Sequence, residues 1–138
     1  MNPLKSLLPL VLIAVTGTNS VLAEDGSRQI MKDVHDDLLT KFTPMTYGKN
    51  EQKLRNISGE KPFSGDCVDY YVAAHNQLVK HGLVPYARFL HRKSDAEGHL
   101  VACVDIGKRS LCLDPNNNRV TTAGKLHREY RTVRIERG

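Results

Sequence analysis

The chain has 138 residues, a formal net charge of +5 at pH 7 and 40% hydrophobic residues, which suits one small domain with one core. The charge surplus is modest, and no basic segment is interleaved with aromatic residues, so nucleic acid is not expected as a partner. Repeats and low-complexity tracts are absent from the sequence.

The first 23 residues have the pattern of a secretory signal peptide. Lys5 supplies one positive charge, an apolar run covers 7–15, and small and polar residues continue to Ala23. The run is too short to span a membrane, and its end is an acceptable cleavage motif. We expect a signal peptide over 1–23 and one domain over 24–138, periplasmic or secreted. The alternative is an N-terminal anchor helix that is retained after export.

The mature chain is predicted to begin with an amphipathic helix and a long connection. Over 27–42, apolar residues recur at helical spacing, namely Ile30, Met31, Val34, Leu38 and Leu39. The segment 43–65 is rich in turn residues and predicts an irregular connection, with one helical turn near 51–55.

The sequence FSGDCVDYY, residues 63–71, predicts the start of a second helix. Asp66 is a good N-cap, and Asp69, three residues later, completes an acidic variant of the capping box. Lys80 and Gly82 mark the end of the helix. One stripe of this helix is expected to face the core, formed by Cys67, Tyr71, Ala74 and Leu78.

Two interpretations of Cys67 are open from this helix alone. In the first turn, unpaired backbone N–H groups and the helix dipole favour a thiolate, and the N–H of Cys67 is free to help bind an oxyanion. A small apolar residue at the top of a core stripe would look the same in the sequence. The rest of the chain decides between them.

The C-terminal half predicts antiparallel strands. VPYARFLHR, residues 84–92, alternates as a strand, and REYRTVRIE, residues 128–136, predicts the final one. Between them, HLVACVDIGKRSLCLDP predicts a hairpin about a two-residue turn at Gly107 and Lys108. That turn places Cys103 opposite Cys112, in a non-hydrogen-bonded pair whose side chains approach closely.

The hairpin register therefore predicts a disulfide between Cys103 and Cys112. Three cysteines in an exported chain leave one thiol over, and that one is Cys67. A disulfide between Cys67 and either of the other two is the alternative, although only the hairpin supplies a geometric reason for pairing.

The same register predicts a histidine–aspartate pair. His99, Val101 and Cys103 share one face of their strand. Because Val101 would lie opposite Asp114, that carboxylate is diagonal to His99 and close enough to orient its imidazole. If Cys67 packs against this face, a nucleophile, a base and an orienting group are present together.

Other histidines and metals have weaker support in the sequence. No Cys or His spacing matches a zinc pattern, and the aspartates beside the cysteine are explained as helix caps. Four histidines are expected to be solvated or to lie at element ends, namely His75, His81, His91 and His127.

Three segments resemble the bacterial transglutaminase-like cysteine proteinases, a branch of the transglutaminase-like, papain-related superfamily: SGDCVDYYVAAHNQLVKHGL, GHLVACV and LCLDPNNN. The family pattern is a G-D-C-x-D-Y helix start, a strand carrying G-H, and a following strand that ends in Leu-Asp. The resemblance covers about residues 43–122 of this chain. It implies Cys67 as the nucleophile, His99 as the general base and Asp114 as the orienting acid.

The chain departs from that pattern at Val68, where many members have a glutamate. Some members bind calcium with the acidic residues that flank the cysteine, and Val68 removes one carboxylate from such a site. We therefore expect no calcium, and no other metal or cofactor.

The resulting expectation is an α+β domain with a papain-like or transglutaminase-like core, in which N-terminal helices include a nucleophile-bearing helix packed on a small antiparallel β-sheet. The expected function is an exported thiol hydrolase that cleaves a peptide bond of an envelope or periplasmic protein through a thioester on Cys67. The alternatives are a transamidase or deamidase with the same triad, and a catalytically idle module that docks on an envelope protein. We expect a monomer whose partner is a protein or peptide substrate, with no stable membrane insertion after signal cleavage.

Overall fold

The computed structural model describes residues 21–46 and 55–137. Most of the predicted signal peptide, and the helical turn predicted near 51–55 except its last residue, lie outside the described residues. Within the described ranges, no helix is both long enough and apolar enough to cross a membrane.

The chain has an α+β fold with a five-stranded antiparallel sheet in the order β6-β5-β4-β3-β7. A separate pair of short strands, β1 and β2, runs in parallel. In chain order the elements are α1 Val21–Lys41, β1 Phe42–Pro44, β2 Phe63–Gly65, α2 Cys67–Lys80, β3 Tyr86–Arg92, β4 Gly98–Ile106, β5 Arg109–Leu113, β6 Thr121–Thr122, α3 Ala123–Leu126 and β7 Tyr130–Arg137.

The hairpin of β4 and β5 confirms the predicted register. Ile106 pairs with Arg109, and the ladder continues through Cys103 and Cys112, whose Cα atoms are 4.0 Å apart and whose side chains form a disulfide. Gly107 has φ +63, the left-handed conformation that this type of turn requires. Cys67 is a free, half-buried cysteine.

Peptide mapping of the oxidised, unreduced protein is expected to find Cys103 joined to Cys112 and Cys67 alkylated by an added thiol reagent. The reason is distance, because the hairpin holds its two cysteines opposite one another in adjacent strands. A disulfide that contains Cys67 in the mapped peptides would contradict both the pairing and the use of Cys67 as a nucleophile.

Helices α1 and α2 cover one face of the sheet. Their buried residues form a cluster with the inward side chains of β4 and β5, namely Met31, Val34, Leu38, Tyr70, Ala73, Ala74, Leu78, Ala102, Val104, Ile106 and Leu113. The opposite face carries a second cluster, which includes α3 and the start of β7, namely Tyr86, Leu90, Val101, Cys103, Cys112, Leu126 and Tyr130.

Two predictions about α2 are corrected by these clusters. Side chains alternate along β4, so the body of α2 packs against the face of Ala102 and Val104 and not against the face of Val101. The buried stripe of α2 is also wider than predicted, because α2 contacts α1 as well as the sheet. It consists of Asp69, Tyr70, Ala73, Ala74, Gln77 and Leu78, while Cys67 and Tyr71 are only half-buried.

Candidate active site

The N-terminus of α2 is held by a reciprocal cap that confirms the predicted capping box. Oδ1 of Asp66 accepts from the backbone N–H groups of Val68 at 2.9 Å and of Asp69 at 3.3 Å, and Oδ2 of Asp69 accepts from the N–H of Asp66 at 3.0 Å. Cys67 is therefore fixed as the first residue of the helix, where the helix dipole is positive.

Gly65 allows this cap to close. Its φ of +157 is one that other residues rarely adopt, and an added Cβ would lie 2.0 Å from Oδ2 of Asp69. The motif Gly65-Asp66-Cys67 thus has a structural cause, because the glycine leaves the space into which the capping carboxylate of Asp69 folds.

A guanidinium group occupies the other side of the same carboxylate. Nε of Arg55 donates to Oδ1 of Asp69 at 3.2 Å, and the guanidinium also donates to the carbonyl of Ser64. The Asp69 side chain is only 4% exposed, so a positive charge beside it offsets the cost of burying a carboxylate. Both oxygens of Asp69 are consequently bound by N–H donors.

His99 and Asp114 form a buried hydrogen-bonded pair. Nε2 of His99 lies 2.8 Å from Oδ1 of Asp114, and the two side chains are 7% and 5% exposed. The strand ladder ends at Ala102 and Leu113, one pair before the predicted Val101–Asp114 pair. Because Nε2 is bound to the carboxylate, Nδ1 is the nitrogen of His99 that remains for proton exchange with another group.

The pKa of His99 reflects three neighbouring effects. Burial lowers the pKa, but hydrogen bonds with the side chains of Asp114 and Cys67, together with the negative charges of both, raise it to about 9. At neutral pH His99 is therefore an imidazolium that lies between a carboxylate and a sulfur atom. The structure thus brings Cys67, His99 and Asp114 together, and their roles in catalysis stay predictions.

Tyr130 covers the imidazole ring. Its ring stacks on that of His99 with centroids 5.2 Å apart and an interplanar angle of 22°, and the residue is buried. Tyr130 comes from β7, on the opposite side of β3 from β4. The buried Tyr130 ring therefore covers one face of the imidazole. The sequence predicts a strand there but gives no signal that Tyr130 would reach the site.

Cys67 and His99 line one cleft of about 950 Å³. The cleft is within the range of sites that accommodate ligands and is bordered by β1, the first turn of α2, β3 and β7. Apolar side chains on its walls include Phe42, Val68, Phe89, Leu90 and Val133.

The other histidines lie as follows. His81 and His127 are the C-caps of α2 and α3, as expected for residues at element ends, and His75 is half-buried on α2 beside Tyr71. His91 is half-buried and lines the cleft, which the sequence does not predict. The sequence predicts no role for His35, which is fully buried.

The chain has no match among protein-family models, and no curated protein matches it. Solved structures do share its fold. Legionella pneumophila LapG aligns with a TM-score of 0.63 and 14% sequence identity over 81% of this chain and 68% of LapG. EGTA-treated LapG of the same organism aligns with a TM-score of 0.64 and 15% sequence identity over 81% of this chain and 67% of LapG. Calcium-bound LapG aligns with a TM-score of 0.60 and 14% sequence identity over 82% of this chain and 71% of LapG. At such identities the likeness concerns the fold.

The residues beside Cys67 do not fit a calcium ion. Calcium takes six to eight oxygen ligands, and no group of three or more His, Cys, Asp or Glu residues in the described ranges is placed to hold a metal. Asp66 and Asp69 cap α2, and Asp69 is also bound by Arg55. A guanidinium thus stands beside the carboxylate that a calcium ion would need.

Chelation with EGTA is therefore expected to leave both turnover and the melting temperature unchanged. The measurement is a pair of thermal melts and a pair of activity assays, with EGTA and with added calcium. A loss of activity or stability that calcium restores and magnesium does not would contradict this expectation, and variants of Asp66 and Asp69 would then locate the site.

Proposed function

We propose that this chain is an exported thiol hydrolase with a papain-like core, which cleaves a peptide bond of an envelope or periplasmic protein. The observation that carries the proposal is a free, half-buried cysteine at a helix N-terminus, in the same cleft as the imidazole of a buried histidine–aspartate pair. The proposed roles are nucleophile for Cys67, acid and base for His99, and orienting group for Asp114. The likeness to LapG supports the proposal at the level of the fold.

Acylation follows from the arrangement of these groups. The Cys67 thiolate attacks the carbonyl carbon of the substrate, and the carbonyl oxygen becomes an oxyanion. In the proposed reaction the N–H of Cys67, which has no protein acceptor among the described residues, donates to that oxygen. His99 then gives its Nδ1 proton to the leaving amine, the C–N bond breaks, and a thioester remains on Cys67.

Deacylation reverses the proton transfer. Neutral His99 takes a proton from water at Nδ1, and the resulting hydroxide attacks the thioester carbonyl. The C–S bond breaks, the thiolate leaves, and the imidazolium and thiolate are restored. Throughout, the Asp114 carboxylate accepts a hydrogen bond from the Nε2–H of His99, which leaves Nδ1 for proton exchange.

The experiment is incubation of the mature protein with a periplasmic proteome, followed by mass spectrometric mapping of new N-termini. The matched control is Cys67→Ala, which removes the sulfur from a half-buried side chain and leaves the rest of the chain unchanged. New termini that require Cys67 support peptide hydrolysis, while incorporation of an added amine without cleavage points to transamidation. No Cys67-dependent product with either readout would overturn the proposal.

The pH profile gives a second, independent expectation. Because the pKa of His99 is raised to about 9, the imidazolium persists at lower pH and is lost as the pH rises through that value. Turnover should therefore fall on an alkaline limb near pH 9, and Cys67 should react with iodoacetamide below neutral pH. The measurement is the rate of each reaction between about pH 5 and pH 10. An alkaline limb near pH 7, or alkylation that begins only where an ordinary thiol ionises, would contradict it.

A further inference from the structure

A second buried histidine lies close to the candidate site and is not used by the proposed mechanism. His35, on α1, and Tyr70, on α2, are both 0% exposed. Nδ1 of His35 is 2.6 Å from Oη of Tyr70, and Nε2 is 2.7 Å from the backbone carbonyl oxygen of Asn117. Three separate parts of the chain therefore meet at one imidazole ring.

The Asn117 carbonyl belongs to the turn that carries the orienting carboxylate. The N–H of Asn117 donates to the carbonyl of Asp114 at 2.9 Å, and the N–H of Asn116 donates to Oδ1 of Asp114, also at 2.9 Å. That same Oδ1 accepts from Nε2 of His99. The turn lies beyond the last residue pair of the β4–β5 ladder. The hydrogen bond from His35 connects it to α1.

The protonation states of the pair are set by what each atom faces. A backbone carbonyl can only accept, so Nε2 of His35 carries the proton. Burial lowers the pKa of His35 and raises that of Tyr70, which keeps both groups uncharged. Nδ1 of His35 is then an acceptor, and the hydroxyl of Tyr70 donates to it. The chain of donors runs from Tyr70 through His35 to Asn117.

We infer that His35 and Tyr70 are positioning residues for the proposed reaction, because they hold the Asp114–Asn117 turn where Asp114 can orient His99. The inference rests on the proposed function. Neither residue touches the cleft, so both act only through the placement of the Asp114 carboxylate. If that carboxylate moves, the imidazolium of His99 loses its hydrogen-bonded partner and, with it, its position beside the sulfur of Cys67.

The test uses alkylation of Cys67 by iodoacetamide in the full mature chain and needs no substrate. Tyr70→Phe removes one hydroxyl from α2. We expect the alkylation rate at pH 6 to fall about tenfold, because a displaced imidazolium leaves a smaller fraction of Cys67 as thiolate, while the rate at pH 10, where the thiolate forms without a counter-ion, stays unchanged. The ratio of the two rates is the readout, because a role in stability alone would not change it.

A matched control lies one residue further along the helix. Tyr71 is half-buried, and its hydroxyl has no hydrogen-bond partner among the described residues, so Tyr71→Phe should keep the parent ratio. At His35, glutamine can still donate to Asn117 and accept from Tyr70, whereas leucine cannot. The ratio of the alkylation rates at pH 6 and pH 10 should therefore be close to the parent value in His35→Gln and clearly lower in His35→Leu.

The outcomes distinguish a failure of this inference from a failure of the proposed function on which it rests. If the parent protein does not react below neutral pH, the proposed function fails. If the parent reacts and both Tyr70→Phe and His35→Leu keep its ratio, the positioning role is overturned. A lower melting temperature in Tyr70→Phe with an unchanged ratio also overturns it, because the pair would then be purely structural.

Discussion

Replacement of Cys67 by alanine is expected to abolish turnover, with a loss of about 10⁴-fold to 10⁶-fold relative to the parent protein. His99→Ala should reduce turnover by about the same factor, because Cys67 and His99 act as one unit and the loss of either residue stops acylation. Asp114→Asn should leave measurable activity, since an amide still occupies the place of the group that orients His99. The measurement is kcat and KM on a substrate identified by N-terminal mapping.

The controls for this series come from the same elements. His75→Ala removes a histidine from α2 outside the cleft and should keep parent kinetics. The melting temperatures of Cys67→Ala and Asp114→Asn should be compared as well, because Asp114 is buried and its turn depends on its side chain. Parent-like turnover in Cys67→Ala would show that the cleft does not carry out thiol chemistry.

The part of the site that the sequence predicts best is its local geometry. A two-residue turn fixes the hairpin register, and side chains alternate along a strand, so one turn determines the cysteine pair and places His99 near Asp114. The helix start is also local, because Asp66 and Asp69 cap each other across three residues. Both predictions are confirmed because the chain has few alternatives over such short distances.

The parts that the sequence does not predict depend on contacts between distant segments. The parallel pair β1 and β2 forms at the two ends of the long connection and includes Phe42, the last residue of the predicted helix. Phe42 and Phe63 pack with Tyr70. The stacked Tyr130 and the buried His35 likewise lie far along the chain from the groups they contact. Propensity and periodicity describe one element at a time, so no pattern in either residue's own segment indicates its partner.

The face to which α2 packs is a related case. The sequence predicts Cys67 on the same face as His99, whereas the body of α2 contacts the opposite face and only its first turn lies at the cleft. The sequence correctly predicts the alternation of side chains between the two faces of β4. Alternation alone does not indicate which face a helix packs against. Sequence spacing thus indicates which residues come together at the candidate site, while the packing of α2 determines from which side the sulfur approaches.

Gly65→Ala is expected to destabilise the domain by about 3 kcal/mol or more, from backbone strain together with loss of the cap. An added Cβ would lie 2.0 Å from Oδ2 of Asp69 and 2.5 Å from its Cβ, so a rotation of the carboxylate alone cannot relieve the clash. Asp69 would have to leave both the N–H of Asp66 and the guanidinium of Arg55. The first turn of α2 would then lose the position that holds Cys67, and alkylation at pH 6 should fall with the stability.

The matched control is the same substitution at Gly26, in α1, where nothing lies within 4 Å of an added Cβ. Alanine favours a helix over glycine by roughly 0.5–1 kcal/mol, so Gly26→Ala should be neutral or slightly stabilising. Thermal melts of both variants test the comparison, and a loss of about 3 kcal/mol should lower the melting temperature of a domain of this size by roughly 10 °C. If Gly65→Ala melted like the parent and reacted like it at pH 6, the reciprocal cap would not be what fixes the sulfur at the head of α2.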